Sequence, residues 1–305
     1  MPPLRRPARS KPSAIERPAL TDALHRFVLE AESIRGEHLQ LDKSCSECLN
    51  THHYPPAVAR LLGEFLAAAS LLGATLKFDG MLTLQARSQG EVPLIMAECT
   101  DQQGLRGIAR QAQQAMSEDF KTLLSDGQLV LTITPRQGQR YQGIVSLEGD
   151  NLSQCIESYF QQSEQLLTRI WLHCDGERAA GFFLQSLPEA NRRNADDEVW
   201  QEVTMLADTL RSDEMHELTS EDLLHRLFHD RDVKLYTDKT PHFACQCSEE
   251  RIANALISLG WEEVEAALAE VEPMEVNCEF CNRHYQFTRQ QLAEIFGKGG
   301  TKTSH

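Results

Sequence analysis

Apolar and polar positions alternate with different periods along the chain, and the period divides it into three regions. From Thr21 to about Leu187, helical and strand patterns alternate. Thr21 can cap a helix carrying Leu24, Phe27, Val28 and Ile34, with Gly36 as its stop. Pro55-Pro56 introduce Val58, Leu61, Leu62, Phe65 and Leu66, the start of the most apolar stretch, Ala57 to Leu76. Arg60, Glu64 and Ser70 break that stretch, so it predicts a buried helix and falls short of the ~20 apolar residues of a membrane span. Strand patterns follow from Leu82 to Ala86, Leu129 to Thr134, Tyr141 to Leu147, Arg169 to His173 and Gly181 to Leu187. Pro135-Arg136-Gln137-Gly138 joins the second and third as a hairpin. Another helix, Asn151 to Gln162, places Cys155, Ile156 and Tyr159 on one apolar face, Cys155 as a small core residue. The expected fold class is α+β, with a mixed α/β core over residues 19–188 and antiparallel sheets. No glycine-rich phosphate fingerprint follows any strand.

The second region, 189–240, is acidic and helical. Between Glu189 and Asp222 eleven acidic residues meet three basic ones. Val199, Met205, Leu206, Leu210, Leu218, Leu223, Leu224, Leu227 and Phe228 nevertheless recur at helical intervals. Short helices of this kind are marginal alone and need a neighbour to cover their apolar stripe. The third region, 241–305, predicts a helix capped by Ser248 and closed by Gly260, a second from Trp261 to about Val271, a ribbon around Cys278 to Phe287, and a last helix with Leu292 and Ile295. So few large apolar side chains in about sixty residues need a staple.

Composition narrows the function. With 41% hydrophobic and 25% charged residues, the chain is an ordinary globular protein and not a fibre. Its formal charge of −15 repels phosphate backbones, and no nucleic-acid or membrane partner is expected. The first eighteen residues run the other way: five basic residues, five prolines and one glutamate predict a disordered basic tail (1–18) without a secretory apolar segment. The odd total of nine cysteines argues against a disulfide framework and for a reducing, cytoplasmic setting with working thiols.

Four of the nine make the staple. Cys245-Gln246-Cys247 and Cys278-Glu279-Phe280-Cys281 have thirty residues between them, and helices there can bring the pairs together. Four thiolates suit one tetrahedral zinc ion, leaving a complex of charge −2, and thiolates select zinc over hard cations. A structural zinc is worth ~10–16 kcal/mol to a small domain, as much as a whole domain's net stability of ~5–15 kcal/mol. Metal-held thiolate is also open to oxidants, and each pair is close enough in sequence for an internal disulfide. Two outcomes stand open: a redox switch, or a structural metal site that never switches.

The same residues carry a resemblance. The C-x-C and C-x-x-C pairs accompany His52-His53-Tyr54-Pro55, Ala74-Thr75-Leu76-Lys77-Phe78-Asp79-Gly80 and Thr132-Ile133-Thr134-Pro135. With them come Tyr141-Gln142-Gly143-Ile144-Val145, Leu147-Glu148-Gly149-Asp150, Tyr159-Phe160 and Ser163-Glu164-Gln165. Over about residues 21–296 the chain resembles the redox-regulated heat-shock holdase family, the 33 kDa chaperonins. The resemblance implies an ATP-independent chaperone, inactive while reduced and holding one zinc per chain on Cys245, Cys247, Cys278 and Cys281. It implies that oxidation forms Cys245–Cys247 and Cys278–Cys281 disulfides, releases zinc, and unfolds the small domain and the connector. The protein then dimerises and binds unfolding client proteins.

Two features fall outside that pattern. The basic tail is additional to it. Cys45-Ser46-Glu47-Cys48 with His52 and His53 imitates a second metal site, although an accessory thiol pair or a plain loop suits the sequence better. His52, His53 and Asp79 are acid–base candidates, but no nucleophile motif accompanies them and no catalytic residue is assigned; the protein is not read as an enzyme. A nucleic-acid-binding zinc ribbon is disfavoured by ten acidic against five basic residues in 241–305.

Overall fold

The structure is a computed structural model that describes residues 21–76, 78–187, 194–237 and 239–299. The basic tail, Lys77 and the start of the acidic stretch at Glu189 lie outside the described residues.

The described residues open with a hairpin, β1 (Ala23–Leu29) and β2 (Ile34–Leu41), followed by α1 (Lys43–Leu49) and the 20-residue α2 (Pro56–Thr75). Strands β3 (Gly80–Arg87), β4 (Leu94–Thr100) and β5 (Gly104–Arg110) form a meander, and the short α3 (Phe120–Leu123) leads to the hairpin β6 (Gln128–Pro135) and β7 (Tyr141–Ser146). Next come α4 (Leu152–Tyr159), whose Asn151 cap accepts the Gln154 N–H, a π-helical turn at Phe160–Glu164, then β8 (Thr168–Cys174) and β9 (Ala179–Ser186). The acidic stretch supplies α5 (Asn194–Ala207), α6 (Ser212–Glu217), α7 (Ser220–Phe228) and β10 (Val233–Thr237). The last region holds β11 (His242–Phe243), α8 (Glu249–Leu259), α9 (Trp261–Glu270), the ribbon β12 (Met274–Asn277) and β13 (His284–Phe287), and α10 (Arg289–Gly299).

One sheet runs β10-β1-β2-β9-β8 and a second runs β11-β5-β4-β3-β6-β7. All pairings are antiparallel except β11 with β5. Helix α2 touches strands of both sheets and forms the axis of the main core. By length and composition it could cross a bilayer, which corrects the expectation that no run reaches that length; here 67% of its most apolar window is buried inside the protein.

The helix expected from Thr21 is instead the β1–β2 hairpin. Leu24, Phe27 and Val28 satisfy a helical period, but the chain turns at Ser33, in a left-handed conformation, and strand pairing then takes both segments. Gly36 is no helix stop. It pairs with Phe27 across the ladder and lies inside β2. Strands β4 and β5 had no expected counterpart.

The first sheet is apolar on both faces. Leu24, Leu39, Leu41 and Phe183 face α2, while Phe27, Leu29, Ile34, Phe182 and Leu184 face the other way. Val203 and Ala207 of α5, Met215 of α6, and Leu223, Leu224, Leu227 and Phe228 of α7 cover that second face. Each large side chain so buried contributes about 1.5–3 kcal/mol. The amphipathic helices expected here exist, and the neighbour they need is this sheet. Polar contacts pin the cover. His38 Nε2 lies 3.0 Å from the Met215 carbonyl, Ser220 Oγ sits 2.9 Å from both His38 Nδ1 and His25 Nδ1, and His173 meets His216 at 2.8 Å.

Candidate metal centre

The C-terminal region is built as sequence and composition dictate. Ser248 accepts the Arg251 N–H and caps α8. Ala253, Leu256, Val264, Leu268, Phe287 and Leu292 make a six-residue core, small for a free-standing domain. Between β12 and β13 the chain turns tightly: the Cys278 N–H donates to the Arg283 carbonyl at 2.8 Å, and the Asn282 N–H to the Cys278 carbonyl at 2.7 Å. That knuckle presents Cys278 and Cys281 toward Cys245 and Cys247, which follow β11.

The four Sγ atoms lie within 4.8 Å of one another. Cys245 and Cys278 are 3.7 Å apart, and Cys247 and Cys281 3.4 Å. A tetrahedral centre with metal–sulfur bonds of ~2.3 Å has edges of about 3.8 Å, so the quartet fits one thiophilic ion. The donor set is all sulfur, and the cluster can hold a metal. Burial raises the Cys245 and Cys281 thiols, whereas hydrogen bonding to Cys247 outweighs its own burial and brings it down to about 7. Cys278 is buried and the other three are half-buried.

The remaining cysteines behave otherwise. Cys45, Cys48, Cys99, Cys155 and Cys174 are all buried. Burial pushes Cys48 up to about 12 and raises Cys99 and Cys155, while a shared hydrogen bond with Cys174, and burial, raise Cys45. Such thiols are inert. Cys45-Ser46-Glu47-Cys48 is part of α1 and packs into the main core, not a loop; Cys48 Sγ points to the Gly107 carbonyl at 3.5 Å. Among the described residues no second metal-holding group of histidine, cysteine and carboxylate forms there. Of the acid–base candidates, Asp79 pairs with Arg136 at 2.7 Å, His53 is exposed, and His52 Nε2 contacts the Glu279 carbonyl at 2.5 Å.

His52 belongs to a seam that the sequence did not disclose. β11 adds to the β5 edge, with His242 opposite Gly104 and Phe243 opposite Leu105, and the Ala244 N–H reaches the Leu105 carbonyl at 2.8 Å. Arg110 pairs with Glu279. Arg106 Nη1 approaches Cys245 Sγ at 3.9 Å, and its guanidinium lies 4.1 Å over the Phe280 ring. These partners are 138 to 227 residues apart in sequence, so no local signal could announce them.

A family model described as Hsp33 protein matches residues 22–288. The chain belongs to the Hsp33 family. It is 47% identical over 287 residues to the 33 kDa chaperonin of Pseudomonas paraeruginosa, covering 92% of this chain and 97% of that one. The 33 kDa chaperonin of Pseudomonas savastanoi pv. phaseolicola is 46% identical over 285 residues, covering 92% and 95%. The crystal structure of the 33 kDa chaperonin (heat shock protein 33 homolog) from Thermotoga maritima superposes with a TM-score of 0.76 at 20% identity, over 92% of this chain and 99% of that one, which shows the Hsp33 fold is shared.

Proposed function

We propose that this chain is a heat-shock chaperone that holds unfolding proteins without ATP, and that its four-cysteine centre is the switch. One observation carries the reading: β1, β2 and β9 are apolar on both faces, and the second face is covered by acidic helices that stand in sequence between the core and the centre. Residues 19–188 then form the core, 189–240 the releasable cover and 241–305 the switch module.

Cys245, Cys247, Cys278 and Cys281 would hold one zinc per chain in the reduced cytoplasm. Bound zinc supplies the cross-link that the six-residue core of the module lacks. Oxidation to Cys245–Cys247 and Cys278–Cys281 disulfides removes the thiolates that hold it. The module then loses a contribution of ~10–16 kcal/mol and its helices unfold. The cover follows, and Phe27, Phe182 and Leu184 become a surface for unfolding clients and for a second copy of the chain in an oxidised homodimer. No substrate is turned over in this scheme. The family name supports a role in binding proteins and not in catalysis.

The test treats reduced, zinc-loaded protein with peroxide under mild heating, following zinc with a chromogenic chelator and client aggregation by light scattering. Release of one zinc per chain together with suppressed aggregation, both reversed by thiol and zinc, supports the switch. Zinc release without protection leaves the quartet a structural staple and sinks the proposal.

A further inference from the structure

Arg106 stands on β5, directly after Leu105, whose carbonyl seats the switch module through Ala244. Its side chain is only 15% exposed and reaches three groups at once. Nε and Nη2 bind Glu98 Oε2 on the neighbouring strand, each at 2.5 Å. Nη1 points at Cys245 Sγ, and the guanidinium face covers Phe280, which lies between Cys278 and Cys281. One core side chain thereby touches the chain segments of both cysteine pairs. The neighbouring Arg110–Glu279 pair joins the same knuckle but reaches no sulfur among the described contacts.

We infer that Arg106 is a positioning residue that couples the charge of the four-cysteine centre to the seating of the module on the core. This rests on the redox reading above. Four thiolates around one dication carry −2, and a guanidinium donating to such a sulfur makes a charge-assisted bond. Oxidation of the loaded centre consumes two peroxides and four protons and gives two disulfides, four waters and a free zinc ion. The electrons pass from the four thiolates to the peroxide oxygens, and the centre's net charge goes from −2 to zero. Arg106 then loses its anionic acceptor on the module and keeps Glu98 on the core. The seam keeps its two strand residues, the Phe280 ring contact and the Arg110 and His52 contacts to Glu279, and without the Arg106–sulfur bond it loosens. Lysine cannot serve equally: its single ammonium lacks the planar fork that spans Glu98 and the sulfur together.

The test compares full-length wild type, Arg106→Met, Arg106→Lys and the Glu98→Gln/Arg106→Met double variant. The double variant removes the carboxylate that the single one strands. The main readout is hydrogen exchange at Ala244 and along β5, in reduced protein with zinc and after zinc removal. With zinc bound, Arg106→Met and the double variant should exchange about tenfold faster at the seam, the scale of one charge-assisted hydrogen bond. Arg106→Lys should fall between. Added salt should speed exchange more in wild type than in Arg106→Met, which keeps only the exposed Arg110–Glu279 pair to be screened. Seam exchange equal to wild type in both methionine variants overturns the inference. So does an effect confined to the single variant, which would belong to the stranded Glu98. If peroxide fails to open the wild-type module, the redox reading fails; the difference between zinc-loaded wild type and zinc-loaded Arg106→Met at the seam still decides whether Arg106 ties the centre to the core.

Discussion

The ring of Phe27 occupies the space that a side chain at Gly36 would need. A Cβ built on Gly36 lies 2.2 Å from Phe27 Cζ and 2.7 Å from the Phe183 carbonyl oxygen. Gly36→Ala therefore cannot be absorbed by moving a flexible tip, since backbone stands on one side. Overpacking of this kind costs typically about 1–3 kcal/mol. The displaced ring lies under the cover, stacked 5.5 Å from Phe182 and tilted against Phe228 at 6.3 Å. Denaturant unfolding should show the lost stability, and α7 amides should lose protection before those of α2. Equal protection in both helices would contradict the link between this glycine and the cover.

The capacity to hold a metal separates the nine cysteines into two groups. Replacing any one of Cys245, Cys247, Cys278 or Cys281 by Ser should take bound zinc from one per chain toward none and melt the small core around Phe287. Cys45→Ser and Cys48→Ser should keep full zinc, because both sulfurs are enclosed in the main core. Their cost should appear only in stability. Elemental analysis of the purified variants checks the division.

The cover should loosen in acid without any oxidant. His38 and His216 are both held down to about 4, each chiefly by burial, and burial also lowers His173. Their unfolded values lie near ~6.5, so the unfolded chain takes up protons first as pH falls. Stability from these groups is complete above about 6.5 and declines toward pH ~4, by on the order of 2 kcal/mol at pH ~5 for one fully buried histidine. His25, Ser220 and the Met215 carbonyl face His38, Asp175 and Arg178 stand near His216, and Glu221 is the acidic group acting on His38. His38→Gln should flatten the stability profile between pH 7 and 5. A profile identical to wild type would remove His38 from the account.

Charge placed under the cover should mimic oxidation. Leu223 of α7 is fully buried against the sheet, and a carboxylate there has no partner in the apolar cluster. Reduced Leu223→Asp should retain its zinc yet bind an apolar dye strongly and slow client aggregation. Dye binding no higher than wild type would show that the cover holds by contacts other than this stripe.

The strongest sequence signals were those that a single local constraint decides. Helix α2 was legible because its apolar run follows two prolines, and α8 because Ser248 and Gly260 bracket it. The quartet was legible because its spacing is itself the chemistry. The β1–β2 hairpin was hidden because Leu24, Phe27 and Val28 fit a helical period, while the partner that makes Phe27 a strand residue stands on the next segment. β10 was hidden for a similar reason: Val233–Thr237 is short, follows helices, and gains its hydrogen bonds from β1, some two hundred residues earlier. Arg106 could not be singled out, since its meaning depends on which strand edge the module adopts.

That edge carries a last consequence. β11 is only two residues long, yet it closes one end of a six-stranded sheet. Were the module to leave, the Gln103 and Leu105 carbonyls on the outer edge of β5 would lose the His242 and Ala244 N–H groups that they hold. Bare strand edges attract extended chain of any sequence, because the attraction is between backbones. The molecule would then offer a denaturing protein two kinds of grip, an oily face and a template for one more strand, and the second makes no demand on side chains.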